Sequence, residues 1–144
     1  MKQTLINQAK NQFSSITNYG TRCVYKNRHF TLQIHYCQKS DCTFEQFLLS
    51  TLRFWESFIY YDVNEFLEDL EVCKFLEIKV KDAKKQYSVM CNSINQLEVI
   101  NQPPCFEDFG DPQKLILISD KWNYNSFAMV LENVFIACHW DTAE

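Results

Sequence analysis

Three runs near the C-terminal end, Leu115-Ile116-Leu117-Ile118, Phe127-Ala128-Met129-Val130-Leu131 and Val134-Phe135-Ile136-Ala137-Cys138, are apolar at every consecutive position. A strand sends successive side chains to opposite faces, so such a run stays dry only where both faces of its sheet are covered. The runs therefore predict central strands, and the rest of the chain must supply the covering layers. Thr43-Phe44-Glu45-Gln46 has the form of a capping box, in which the first side chain and the fourth satisfy each other's backbone amides. Phe44, Phe47, Leu48, Leu52, Trp55, Phe58 and Ile59 follow at three- and four-residue spacing, which predicts a buried helix. Asp62-Val63-Asn64-Glu65 opens a shorter helix with Val63, Phe66, Leu67 and Leu70 inward and Glu65, Glu68, Asp69 and Glu71 outward. Residues 3–18 place Leu5, Ile6, Ala9, Phe13 and Ile16 on one helical face, with Gly20 as the stop.

Between these helices the period changes to two. Phe30, Leu32, Ile34 and Tyr36 alternate with His29, Thr31, Gln33, His35 and Cys37, a half-buried strand hairpinned with Cys23-Val24-Tyr25 across Lys26-Asn27-Arg28. Leu76, Ile78 and Val80, then Tyr87, Val89 and Cys91, repeat the alternation. The one break in composition, from Asn101-Gln102-Pro103-Pro104 to Gly110-Asp111-Pro112, disfavours helix and ladder alike and reads as an exposed loop. The expected fold is α+β, with N-terminal and central helices packed on a mainly antiparallel meander sheet. All 144 residues fit a single globular domain, large enough to bury roughly 68–70% of its unfolded surface.

Several function classes are disfavoured by what the sequence contains. Neither phosphate-cradling glycine motif can be built from Gly20 and Gly110. The carboxylate pairs Glu68-Asp69 and Glu107-Asp108 are adjacent in sequence and so point to different sides. Seven cysteines, an odd number, with no apolar leader and no run of ~18 apolar residues, predict a cytoplasmic protein with reduced thiols. No catalytic set, cofactor or metal is expected. The alternative is a small metal protein or enzyme, for which His35, Cys37, Cys42, Cys138 and His139 must converge; their spacing lacks the matched pairs of a structural zinc site. A further alternative is a nucleic-acid-binding module using the basic segment Lys2, Lys10, Arg22, Lys26, Arg28 and Lys39, although the whole chain carries a net charge of −4.

Charge is sorted along the chain. The first forty residues contain no Asp or Glu, whereas residues 41–78 carry nine acids against two bases. Asp62, Glu65, Glu68, Asp69 and Glu71, with Glu107, Asp108 and Asp111 in the loop, form a surface suited to a basic partner, and Phe106 and Trp122 are candidate aromatic anchors beside it. A nuclease domain is the expected partner, since its cleft carries the Lys and Arg that hold phosphates.

The segment Ser119-Asp120-Lys121-Trp122-Asn123, followed by paired apolar strands and the ending Cys138-His139-Trp140-Asp141-Thr142-Ala143-Glu144, resembles the tails of small toxin-immunity proteins, including those of bacterial contact-dependent growth inhibition systems. The resemblance implies a cytosolic, non-enzymatic α+β protein that neutralises one cognate toxin, often a nuclease domain, by tight binding. It implies no particular site residues.

Overall fold

The computed structural model describes residues 1–26, 30–55, 62–79, 81–82, 85, 98–99, 109–121 and 124–142. Its helices are α1 (Lys2–Gln12), α2 (Phe44–Phe54) and α3 (Val63–Val72), and a 3-10 turn, Phe13–Ser15, continues α1. The strands are β1 (Thr21–Lys26), β2 (Phe30–Gln38), β3 (Leu76–Ile78), β4 (Glu98–Val99), β5 (Pro112–Lys121), β6 (Tyr124–Leu131) and β7 (Val134–Thr142). They form one sheet in the order β3-β5-β6-β7-β2-β1-β4, and every pair is antiparallel. The fold is thus α+β, with β5, β6 and β7 as a meander and the β1–β2 hairpin added on the far side of β7.

Burial follows the alternation of the strands. Cys37, Ile116, Ile118, Ala128, Phe135 and Ala137 pack against Leu5, Phe47, Leu48, Leu52, Phe66 and Leu70 of the helices. Their sequence neighbours Ile34, Leu115, Phe127, Met129, Leu131, Val134, Ile136 and Cys138 build a second core on the opposite face with Cys23, Tyr25 and Phe109. The double coverage demanded by the consecutive apolar runs is therefore met, and each fully buried Leu, Ile or Phe contributes roughly 1.5–3 kcal/mol.

Local chemistry sets the helix boundaries. Thr43 and Gln46 close the expected box, with the Gln46 amide donating to Thr43 Oγ1 at 3.1 Å and the Thr43 amide donating to Gln46 Oε1 at 2.8 Å. The apolar period continues to Ile59, but α2 ends at Phe54 because Trp55 is extended, with ψ at 137°. That turn lays the Trp55 ring on His139, centroid to centroid 4.6 Å, instead of continuing the helical face. Asp62 caps α3 by accepting from the Glu65 amide at 3.0 Å. The expected residues His29, Asn27, Arg28, Phe58, Ile59, Val80, Tyr87, Val89 and Cys91, and residues 101–108, lie outside the described residues. No described helix is long and apolar enough to cross a membrane.

Candidate functional site

The α3 segment repeats acids at positions that share one helical face, and packing decides which of them meet water. Phe66 and Leu70 are buried, and Phe13 of the α1 extension meets Phe66 at 5.6 Å between ring centroids. This fixes the opposite face outward, leaving Asp62, Glu65, Glu68 and Glu71 exposed. None of these four carboxylates forms an ion pair with a described residue. Asp69 is half-buried, so it departs from the outer face expected for it. Lys2 Nζ reaches the same helix but donates to the Glu71 backbone carbonyl at 2.8 Å. That bond satisfies a C-terminal peptide group and does not engage the carboxylates.

Beyond α3 the chain makes an unusual turn. Phe75 has φ of +48°. This is the left-handed region, which a bulky side chain adopts at a cost of about 1–2 kcal/mol. The backbone is anchored there by the Lys74 amide, which donates to the Ile118 carbonyl at 2.9 Å. The Phe75 ring drops into the helix-side core, while Val72 and Leu76 on either side stay 72% and 54% exposed. Leu76 was expected inward from its alternation with Glu77; instead it opens β3, which pairs only with β5 and has no strand on its outer edge among the described residues. Leu76 shares its sheet face with Leu117 and Ile78, the face away from the helices, so the surface that α3 itself presents is its four exposed acids with the exposed Val72 at the helix end.

Of the other expected partner-binding residues, Asp111 lies among the described residues, and it does not join this surface. Asp111 is exposed just before Pro112, whereas the Phe75 turn is tied to Ile118. At the usual strand rise Ile118 is ~20 Å farther along β5. Phe106, Glu107, Asp108 and Trp122 lie outside the described residues. Sequence reasoning missed Val72, Phe75 and Leu76, because periodicity assigns an apolar residue to the core by default.

The Cys/His set is divided by the sheet. Cys138 belongs to the core on the face away from the helices, whereas His35, Cys37 and His139 occupy alternate positions that point to the helices. Cys37 Sγ and Cys42 Sγ are 3.2 Å apart. Burial pushes both thiols up, which keeps them protonated. No group of three or more His, Cys, Asp or Glu among the described residues is placed to hold a metal ion.

Both histidines serve the interior. His35 Nε2 donates to the Tyr19 carbonyl, so its Nδ1, 2.5 Å from Thr51 Oγ1, accepts from that hydroxyl. The ring stacks on Phe47 at 4.7 Å. Burial, and then the charge of Arg22, push His35 down to about 3, against the pull of the Tyr19 carbonyl. Burial also pushes His139 down, opposed by the Asp141 carboxylate, whose Oδ2 is 3.3 Å from His139 Nε2.

Among the described residues the basic segment does not assemble into a surface. Arg22 of β1 is turned into the protein and donates to the Ser50 carbonyl at 2.8 Å, while Lys39, just past β2, donates to Gln113 Oε1 at 3.1 Å. Lys2 and Lys10 lie on α1, and Lys2 is engaged with the end of α3. Among the described residues these cations make no stripe along which a phosphate backbone would run.

Compared with known proteins, the chain matches no family model, no curated protein and no solved structure.

Proposed function

We propose that the protein is an immunity-type inhibitor that binds a cognate toxin domain, a basic nuclease, and blocks its active cleft through α3 and the adjoining β3 edge, acting in the cytoplasm and without catalysis of its own. The observation that carries this reading is the row of exposed acids on α3, Asp62, Glu65, Glu68 and Glu71, unpaired among the described residues, with the exposed Val72 at the end of the same helix. Unpaired acids steer a basic cleft and set its orientation, and the exposed Val72 adds an apolar contact that charge alone does not provide. At its C-terminal end the sequence of α3 works against the helix dipole, offset in part by the Lys2 ammonium on the Glu71 carbonyl. The last turn of α3 contains acid and no base, opposite to what its dipole prefers.

Co-expression with the product of the neighbouring gene, followed by purification of any stoichiometric companion, tests the reading. A basic companion that is toxic alone and silent in the complex is the expected result. A protein that purifies alone and fails to rescue cells from that gene product overturns it. Within the complex, the Glu65→Lys, Glu68→Lys, Glu71→Lys triple variant should lose rescue and associate more slowly with an inverted salt dependence, while circular dichroism stays unchanged. Undiminished rescue by the triple variant would remove α3 from the interface.

A further inference from the structure

Arg22 lies on β1 directly opposite His35 of β2, on the face covered by α2. Its guanidinium is held by two neutral groups: Nη2 donates to the Ser50 carbonyl at 2.8 Å and Nε donates to Asn18 Oδ1 at 3.2 Å. Among the described residues its buried Nη1 has no hydrogen-bond partner, and no carboxylate pairs with the group. Burial pushes Arg22 down to about 10 with no acid acting against the shift. A cation fixed in place by neutral acceptors, with its charge uncompensated, is a poor structural element, because a buried charge is costly unless it is paired.

The same arginine lines a cavity of about 250 Å³, whose other walls are Cys23, Val24, Gln33, Ile34, Phe54 and Trp55. The volume falls just below the roughly 300–1,000 Å³ of drug-sized sites and suits a compact ligand. Its walls combine one guanidinium, one amide, Phe54 and Trp55 with Cys23, Val24 and Ile34. Rings accept a flat apolar body, and a guanidinium accepts a carboxylate. A phosphate dianion would call for more donors than one arginine offers. Arg53 of α2 does not add them, since its guanidinium lies over the Phe13 and Phe54 rings at 4.8 and 5.2 Å from their centroids.

We infer that this cavity is a binding site for a small aromatic or apolar monocarboxylate, with Arg22 receiving the carboxylate and Phe54 and Trp55 flanking its body. The site is separate from the α3 surface, since β1 and β3 lie towards opposite sides of the sheet. It therefore stands independently of the inhibitor reading.

Titration of the intact protein with sodium phenylacetate, followed by amide and indole NMR shifts and by thermal unfolding, tests the site. Phenylacetate should shift Val24, Gln33 and the Trp55 indole saturably and raise Tm, and the uncharged isostere phenylacetamide should bind at least tenfold more weakly. Arg22→Gln should abolish the response. If Arg22→Gln fails to fold, Gln33→Glu supplies the second test: it adds a carboxylate to the wall of the same cavity, on the sheet face of Arg22, and phenylacetate binding should fall at least tenfold with the fold retained. Equal binding of acid and amide, undiminished binding in a folded Arg22→Gln or Gln33→Glu variant, a response to inorganic phosphate in place of phenylacetate, or no response at millimolar phenylacetate would each overturn the assignment.

Discussion

Acidification should destabilise this protein, and His35 contributes an identifiable share. His35 is fully buried, and its neutral tautomer is specified by a carbonyl at Nε2 and a hydroxyl at Nδ1. In the unfolded chain the imidazole takes up a proton near pH 6.5, whereas in the folded protein it resists until about pH 3. Between those values the unfolded state binds more protons, so stability falls as pH falls. At pH 5 the unfolded imidazole is about 1.5 pH units below its own pKa, and at about 1.36 kcal/mol per unit the loss relative to pH 8 is about 2 kcal/mol. That corresponds to a Tm lower by roughly 4–8 °C. His139, also pushed down by burial, acts in the same direction, so the whole protein does not isolate His35. Urea unfolding of wild type and His35→Gln at pH 8, 7, 6 and 5 does. The variant keeps a donor and an acceptor at the site but cannot titrate, and its stability should decline by about 2 kcal/mol less over that range. Identical slopes, or an imidazole NMR titration placing folded His35 between pH 6 and 7, would refute the reasoning.

Three further outcomes follow from single contacts. Phe47→Ala removes a fully buried ring that stacks on His35 and meets Phe135 at 5.6 Å. It should cost about 3–5 kcal/mol in denaturant unfolding, and a loss under about 1 kcal/mol would mean the ring is not part of the core. Gly20→Ala puts a side chain on a residue with φ of +74°, with its Cβ against the Tyr36 carbonyl and 2.6 Å from Cys37 Cβ. The change should destabilise by about 1–3 kcal/mol, whereas an unchanged midpoint would show that the turn relaxes freely. Glu71→Gln removes a carboxylate from the acidic last turn of α3. It should stabilise the fold by about 0.3–1 kcal/mol while weakening partner binding, and a loss of stability would show that Glu71 serves the fold.

Those residues also mark what was legible in the sequence. The three consecutive apolar runs and the box at Thr43 report local requirements, a dry face on each side and satisfied amides at a helix start, and both appear in the structure as expected. Periodicity could not say that α2 stops at Phe54, because the stop depends on a ring stack between Trp55 and a histidine more than eighty residues away in sequence. It could not distinguish Leu76 from Ile78 either, since both lie on one face of β3 and only Ile78 reaches the second core. Arg22 counts as surface charge in any reading of composition. Its burial is decided by α2 lying over the β1–β2 hairpin and offering the Ser50 carbonyl, a long-range contact with no local signature.

The topology separates the two proposed surfaces, and that separation has a measurable consequence. From β3 to β1 the sheet order passes five strand-to-strand steps. At the usual spacing this places the two strands ~24 Å apart. At that distance, and with the contacts between cavity and α3 running indirectly through Arg53 and Phe13, substitutions should be energetically independent. The stability change of Arg22→Gln combined with Glu71→Gln should therefore equal the sum of the two single changes to within about 0.5 kcal/mol. The affinity of the inhibitor for its partner should likewise be indifferent to Arg22→Gln. A coupling well above that margin, or a partner affinity that falls with Arg22, would mean that the cavity and α3 report to one another through the sheet, and the monocarboxylate would then be a regulator of partner binding rather than an independent ligand.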